Sequence, residues 1–194
     1  MIGCISSKIV KWLLRAGAIS ENDRELYEYA AYSFLFSLLP LILVILLGWI
    51  SGMFLEGVLL ILPFMLTRKF SGGFHLQSSG VCFVSSTLLL SAFLFLIRFI
   101  SAQQCFVLFS FFVAVSAVQI FLCSPIDNAV RRLSEKERLV FRKTARIMSA
   151  SFLLVYITLF LLRQPRFSVP IGAGIILTAL LQVPCFFITK SRPA

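Results

Sequence analysis

Six apolar runs divide this chain, at about residues 30–50, 53–67, 80–99, 103–124, 147–163 and 167–189, and they constrain its fold more than any other feature. Several come close to the ~20 residues that a helix needs to cross ~30 Å of hydrocarbon at ~1.5 Å per residue. Hydrophobic residues make up 59% of the 194 positions, charged residues 13%, and 21 positions are Phe. With a mean hydropathy of +0.98, the apolar surface exceeds what a soluble domain of this size can bury. The expected fold class is therefore all-α: a polytopic membrane protein of about six transmembrane helices, preceded by an amphipathic N-terminal helix. The second and fifth runs are short enough to tilt little or to thin the bilayer locally. Pro40, Pro63, Pro170 and Pro184 fall inside or near the runs, where they are expected to kink a helix.

The net charge of +10 is spread between the runs. With the N-terminus inside, the inside segments hold Lys8, Lys11, Arg15, Arg24, Arg68, Lys69, seven cations from Arg131 to Arg146, Lys190 and Arg192. The outside segments hold Arg98, Arg163 and Arg166. This bias predicts a multi-pass cell-membrane protein with both termini cytoplasmic. No separate basic domain accompanies the cations, so a nucleic-acid partner is not expected.

Residues 1–28 are expected to form one interfacial amphipathic helix, and residues 29–194 the integral membrane domain. Ile2, Ile5, Ile9, Trp12 and Leu13 recur at helical spacing, with Lys8, Lys11 and Arg15 between them. Such a helix anchors the chain to membrane lipid or offers a platform to a peptide. Glu21, Asp23, Glu25 and Glu28 mark its solvated end. No signal peptide is expected. The polar segment from Ser124 to Arg146 suits an acidic peptide and anionic lipid headgroups equally well. Cys4, Cys82, Cys105, Cys123 and Cys185 show neither metal-ligand nor disulfide spacing, so neither a metal nor a cofactor is expected.

Residues 68–82 read Arg-Lys-Phe-Ser-Gly-Gly-Phe-His-Leu-Gln-Ser-Ser-Gly-Val-Cys. His75 is the one histidine of the chain, and Cys82 follows seven residues later between two spans. A polar, glycine-rich pocket with one His and one Cys suits a thiol-dependent membrane enzyme; a plain loop with an apolar Cys is the alternative. On one continuous helix the two residues would lie ~10.5 Å apart along the axis, too far for proton transfer. A break is therefore expected between them, with Gly80 the natural place. Ser78 or Ser79 could cap the third span and put Cys82 in its first turn, where the helix dipole favours a thiolate. Gly72 and Gly73 would let the backbone approach a substrate, and the Gln77 amide or backbone N–H groups could hold an oxyanion. Asp127 could orient the imidazole if the fourth span packs beside the third, whereas Glu56 should lie near the outer side.

Arg68, Ser71-Gly72-Gly73-Phe74-His75 and Cys82 between two spans resemble the AgrB family, the membrane endopeptidases of Gram-positive quorum sensing. Ser124-Pro125-Ile126-Asp127-Asn128 with its charged tail is similar to the segment that family places between its fourth and fifth spans. Length, span number and orientation extend the resemblance over essentially the whole chain. It implies a catalytic Cys82 with His75 as base, Arg68 and Gly73 in support, and an AgrD-like propeptide cut through an acyl-enzyme. An internal Cys or Ser of the propeptide then closes a thiolactone or lactone. The resemblance also suggests a homodimer, and it favours a peptide tail docking on Arg138, Arg142 and Lys143. The other readings are a non-enzymatic transporter or accessory subunit, and a Cys-dependent membrane acyltransferase.

Overall fold

The computed structural model describes residues 2–72, 79–102, 106–126 and 134–185, with Cys82 described by its backbone alone. Its elements are α1 (Ile2–Arg15), a 3-10 turn (Glu21–Asp23), α2 (Arg24–Ile50), α3 (Phe54–Ser71), α4 (Ser79–Ala102), α5 (Phe106–Cys123), α6 (Glu135–Leu161) and α7 (Pro165–Leu180). The one extended pairing among the described residues is an isolated parallel bridge between Gly72 and Ile126.

Among the described residues, four stretches are long and apolar enough to cross a membrane: Glu21–Ile50, Phe83–Ile100, Glu135–Leu161 and Pro165–Cys185. Of the six expected spans, four meet this length and apolarity. α5 is apolar but shorter, and the 18 residues of α3 include Glu56 in the first turn and Arg68 and Lys69 in the last. Terminal positions let such charges reach water while their stems lie along apolar surface.

The N-terminal segment is not one helix. α1 closes at Gly17 (φ 67°), where Gly17 N–H bonds Leu14 O at 3.0 Å and Ala18 N–H bonds Leu13 O at 3.1 Å. This is a Schellman end, which a glycine in left-handed conformation permits. Glu25 and Glu28 consequently belong to the start of α2, and the Ser7 hydroxyl donates to Glu28 across the α1–α2 contact. Ser6 and Val10 are buried, while Ile5, Ile9 and Trp12 are exposed.

α6 begins at Glu135 rather than near 147, so most of the expected polar loop is helical. Ser134 Oγ accepts from Glu137 N–H at 3.3 Å, and Glu137 Oε2 accepts from Ser134 N–H at 3.0 Å. This capping box satisfies two backbone donors that a helix start leaves orphaned. α7 ends at Leu180, where Pro184 has no N–H to offer the Leu180 carbonyl and crowds it, and helix resumes over residues 183–185; the rest of the run expected to reach 189 lies outside the described residues. The chain turns at Leu181–Gln182.

α7 is the most enclosed helix: Ser168–Ile175 and Leu177–Ala179 are buried against α3, α4, α5 and α6. Leu60, Leu94, Ile97, Val113, Ile120, Ile175 and Leu177 form the heart of the core. α3 and α7 approach so closely that a Cβ on Gly174 would stand 2.6 Å from the Leu60 carbonyl oxygen. The two helices run parallel, so that further along, at the end of α3 and just past the end of α7, Ser71 stands beside Gln182. Leu88, Phe95, Val107, Phe111, Leu122, Leu154 and Leu161 face outward, exposed on the rim.

Candidate active site

The ends of α3, α5 and α7 meet at one end of the bundle. There Ile126 N–H donates to Ser71 O at 3.0 Å. The Gln182 amide Nε2 donates to the same carbonyl at 3.3 Å and to Ser124 Oγ at 3.0 Å. Arg68 Nη1 and Ser71 Oγ each donate to Gly72 O at 3.3 Å, so the last turn of α3 folds onto the residue that follows it. Ser71, Ser124 and Gln182 are all buried. A buried polar cluster of this kind rigidifies the segments it joins, because each lost bond leaves a desolvated group unpaired.

Gly72 is required at this junction. Its backbone (φ 72°, ψ −164°) lies in a region essentially confined to glycine. A Cβ there would come within 2.3 Å of Ile126 O and 3.2 Å of Ile126 N. The close backbone approach expected of Gly72 is therefore made to Ile126.

Gly73, His75, Gln77 and Asp127 lie outside the described residues. Gly72 and Ile126 are the described residues from which the chain leads toward His75 and Asp127 respectively. Cys82 is the fourth residue of α4 as described, and neighbouring Phe83 meets the Phe36 ring of α2 at 5.9 Å. Gly80 lies within α4, so the expected break is not there; Ser79 is likewise helical, and Ser78 lies outside the described residues. Arg138, Arg142 and Lys143 stand on the first turns of α6 instead of a loop. This basic segment reaches the motif through Phe141, whose ring meets Phe70 edge-to-face at 5.8 Å. Arg146 is already engaged, bonded to Phe121 O at 3.1 Å and set over the Phe121 ring.

Sequence reasoning missed Gln182, Ser124 and Ser71 as parts of one junction. The available signal was a glutamine inside an apolar run, since polar groups within spans tend to serve a function. Cys185, read as apolar filler, is buried close by, with its N–H on Gln182 O at 3.1 Å. Glu56 lies at the opposite end, bonded to Arg166 at 2.9 Å and ~22 Å along α3 from Ser71. Among the described residues, no group of three His, Cys, Asp or Glu could hold a metal ion.

Two relatives from Clostridium perfringens are similar to part of this chain. AgrB-like protein 2 of strain 13 is 31% identical over 77 residues, and an AgrB-like protein of strain SM101 is 30% identical over 77 residues. Each alignment covers 39% of this chain and 36% of the relative, so the chain spans about a third of the length of these curated relatives. No solved structure matches. The family model for accessory gene regulator B matches residues 6–186, nearly the whole sequence, and with its apolar helices this chain is a membrane protein that belongs to the AgrB family.

Proposed function

We propose that this chain is a membrane cysteine endopeptidase that removes the C-terminal tail of an AgrD-like propeptide and closes the remaining segment into a thiolactone or lactone for quorum sensing. The observation that carries the reading is the junction of Ser71 and Gly72 with Ile126. It ties the motif leading to His75 and Cys82 to the segment leading to Asp127, at the end of the bundle where the basic start of α6 lies. All six helices α2–α7 would cross the membrane, with both termini and this junction cytoplasmic. α1, with Ile5, Ile9 and Trp12 exposed, would lie in the interface.

The Cys82 thiolate attacks the scissile carbonyl carbon, the C–N bond breaks, and protonated His75 gives its proton to the leaving amine. The N-terminal segment stays on Cys82 as a thioester. An internal thiol or hydroxyl of the propeptide then loses its proton to His75 and attacks that thioester. The bond to Cys82 breaks and the ring closes. Exclusion of water keeps hydrolysis from competing, and proximity of the internal nucleophile drives closure. The cations of α6 would hold the acidic tail.

The test is to trap the intermediate. Purified protein and a propeptide whose internal nucleophile is replaced by Ala should accumulate a peptide thioester on Cys82, visible by intact-mass spectrometry and cleared by hydroxylamine. Cys82→Ala and His75→Ala should give no adduct, whereas Ala or Ser at Cys4, Cys105, Cys123 and Cys185 should be tolerated. Normal cleavage by Cys82→Ala would refute the assignment, and an acyl lipid on Cys82 in place of peptide would replace it with lipid acyl transfer.

A further inference from the structure

The described structure gives Gln182 more hydrogen bonds than packing requires. It is fully buried at the turn after α7, on the face that meets α3. Its Nε2 bonds Ser71 O of α3 and Ser124 Oγ after α5, and so ties the end of α7 to two chain segments that Ile126 N–H also joins. Its Oε1 is buried without a hydrogen-bond partner among the described residues, as is Thr67 Oγ1 one turn before Ser71. An amide half-satisfied in a dry interior is unfavourable, and a Leu or Met of similar size would fill the space at less cost. Filling space therefore does not account for it.

We propose that Gln182 is a positioning residue for the peptide-cleaving reaction, an inference that rests on the function proposed above. The Ser71 carbonyl accepts both the Gln182 amide and Ile126 N–H, so one buried atom joins three segments. Gly72 follows Ser71 directly, and Ile126 follows Ser124 by two residues. Gln182 thereby fixes the direction in which the chain leaves toward His75 and toward Asp127. A placement error of ~1 Å near reacting groups can cost ~100-fold in rate. Loss of the amide should therefore appear in the chemical step and leave peptide capture intact.

Single-turnover acylation of Cys82 would be measured in nanodiscs, with the non-cyclising propeptide as probe, for wild type, Gln182→Leu, Gln182→Met and Ser124→Ala. The two Gln182 variants should acylate roughly 10- to 100-fold more slowly, with the peptide concentration at half-saturation changed less than about threefold. Ser124→Ala, which removes one of the two bonds, should fall between them and wild type. Acylation by Gln182→Met at the wild-type rate overturns the proposal, as does weakened capture with an unchanged limiting rate. If Gln182→Leu fails to insert, Gln182→Met decides the matter by the same criterion. Absence of any Cys82 adduct in the wild-type protein would instead defeat the function reading, which separates the two failures.

Discussion

Gly72→Ala tests the junction most directly, and its size can be worked from the structure. Two effects combine. The backbone at φ 72°, ψ −164° is strained for any residue with a Cβ, by about 1–3 kcal/mol. The added Cβ would also stand 2.3 Å from Ile126 O, and an ordinary contact begins near 3.4 Å. Ile126 must therefore retreat by about 1 Å, and it is backbone, not a flexible side-chain tip. Retreat weakens the Ile126 N–H bond to Ser71 O, worth about 0.5–1.5 kcal/mol net. The sum is about 1.5–4.5 kcal/mol, taken locally at the proposed site. Gly17→Ala is the control, because Gly17 has φ 67° but nothing within 4 Å of its would-be Cβ. That change should cost about 1–2 kcal/mol of left-handed strain and leave processing intact. The assay is single-turnover cleavage of the propeptide, paired with thermal unfolding in the same detergent. Gly72→Ala should process at least ~10-fold more slowly than Gly17→Ala. Equal rates and equal stability in the two variants would refute both the close approach and its bearing on the site.

Lys136 and Lys143 should be cytoplasmic: a Cys introduced at Lys136 should resist an impermeant thiol reagent in intact cells and react in inverted vesicles, and labelling from outside would reverse the topology. Reversal of Arg138, Arg142 and Lys143 to Glu should weaken capture of a propeptide with an acidic tail at low salt. The loss should shrink as salt rises, because exposed charges beyond ~8–10 Å are screened there, and unchanged capture at low salt would leave these residues with a topological role alone.

The apolar runs were legible because each helix is written locally, in ~20 consecutive side chains, and every run landed on one of α2–α7. The start of α6 was legible too, but in a different code. Ser134 and Glu137 announce a capping box, whereas a reading by hydropathy registers polar residues and places a loop there. Gly17 likewise announces the end of α1 inside what periodicity reads as one longer helix. Arg68 and Gly72, whose part in the site is a proposal, were singled out through a short, fixed spacing. Gln182 was not, because its partners Ser71 and Ser124 lie 111 and 58 residues away. Bonds over such separations leave no periodic trace in the chain; they exist only once α3 and α7 have packed in register.

The end of α3 shows why the junction is built from distant parts. A helix leaves its last carbonyls without intrahelical donors, and a glycine just past the end usually closes locally by turning left-handed, with ψ near +47°. Gly72 has the positive φ but a ψ of −164°, so the chain swings out extended instead. The Ser71 carbonyl is then left to be satisfied from elsewhere, and Ile126 N–H and the Gln182 amide supply the bonds. Glycine at 72 thus trades a local cap for a long-range one. A left-handed turn at 72 would close on carbonyls of the preceding turn instead, and the chain would no longer swing out to meet Ile126 at the anchor shared by the segments leading to His75 and Asp127.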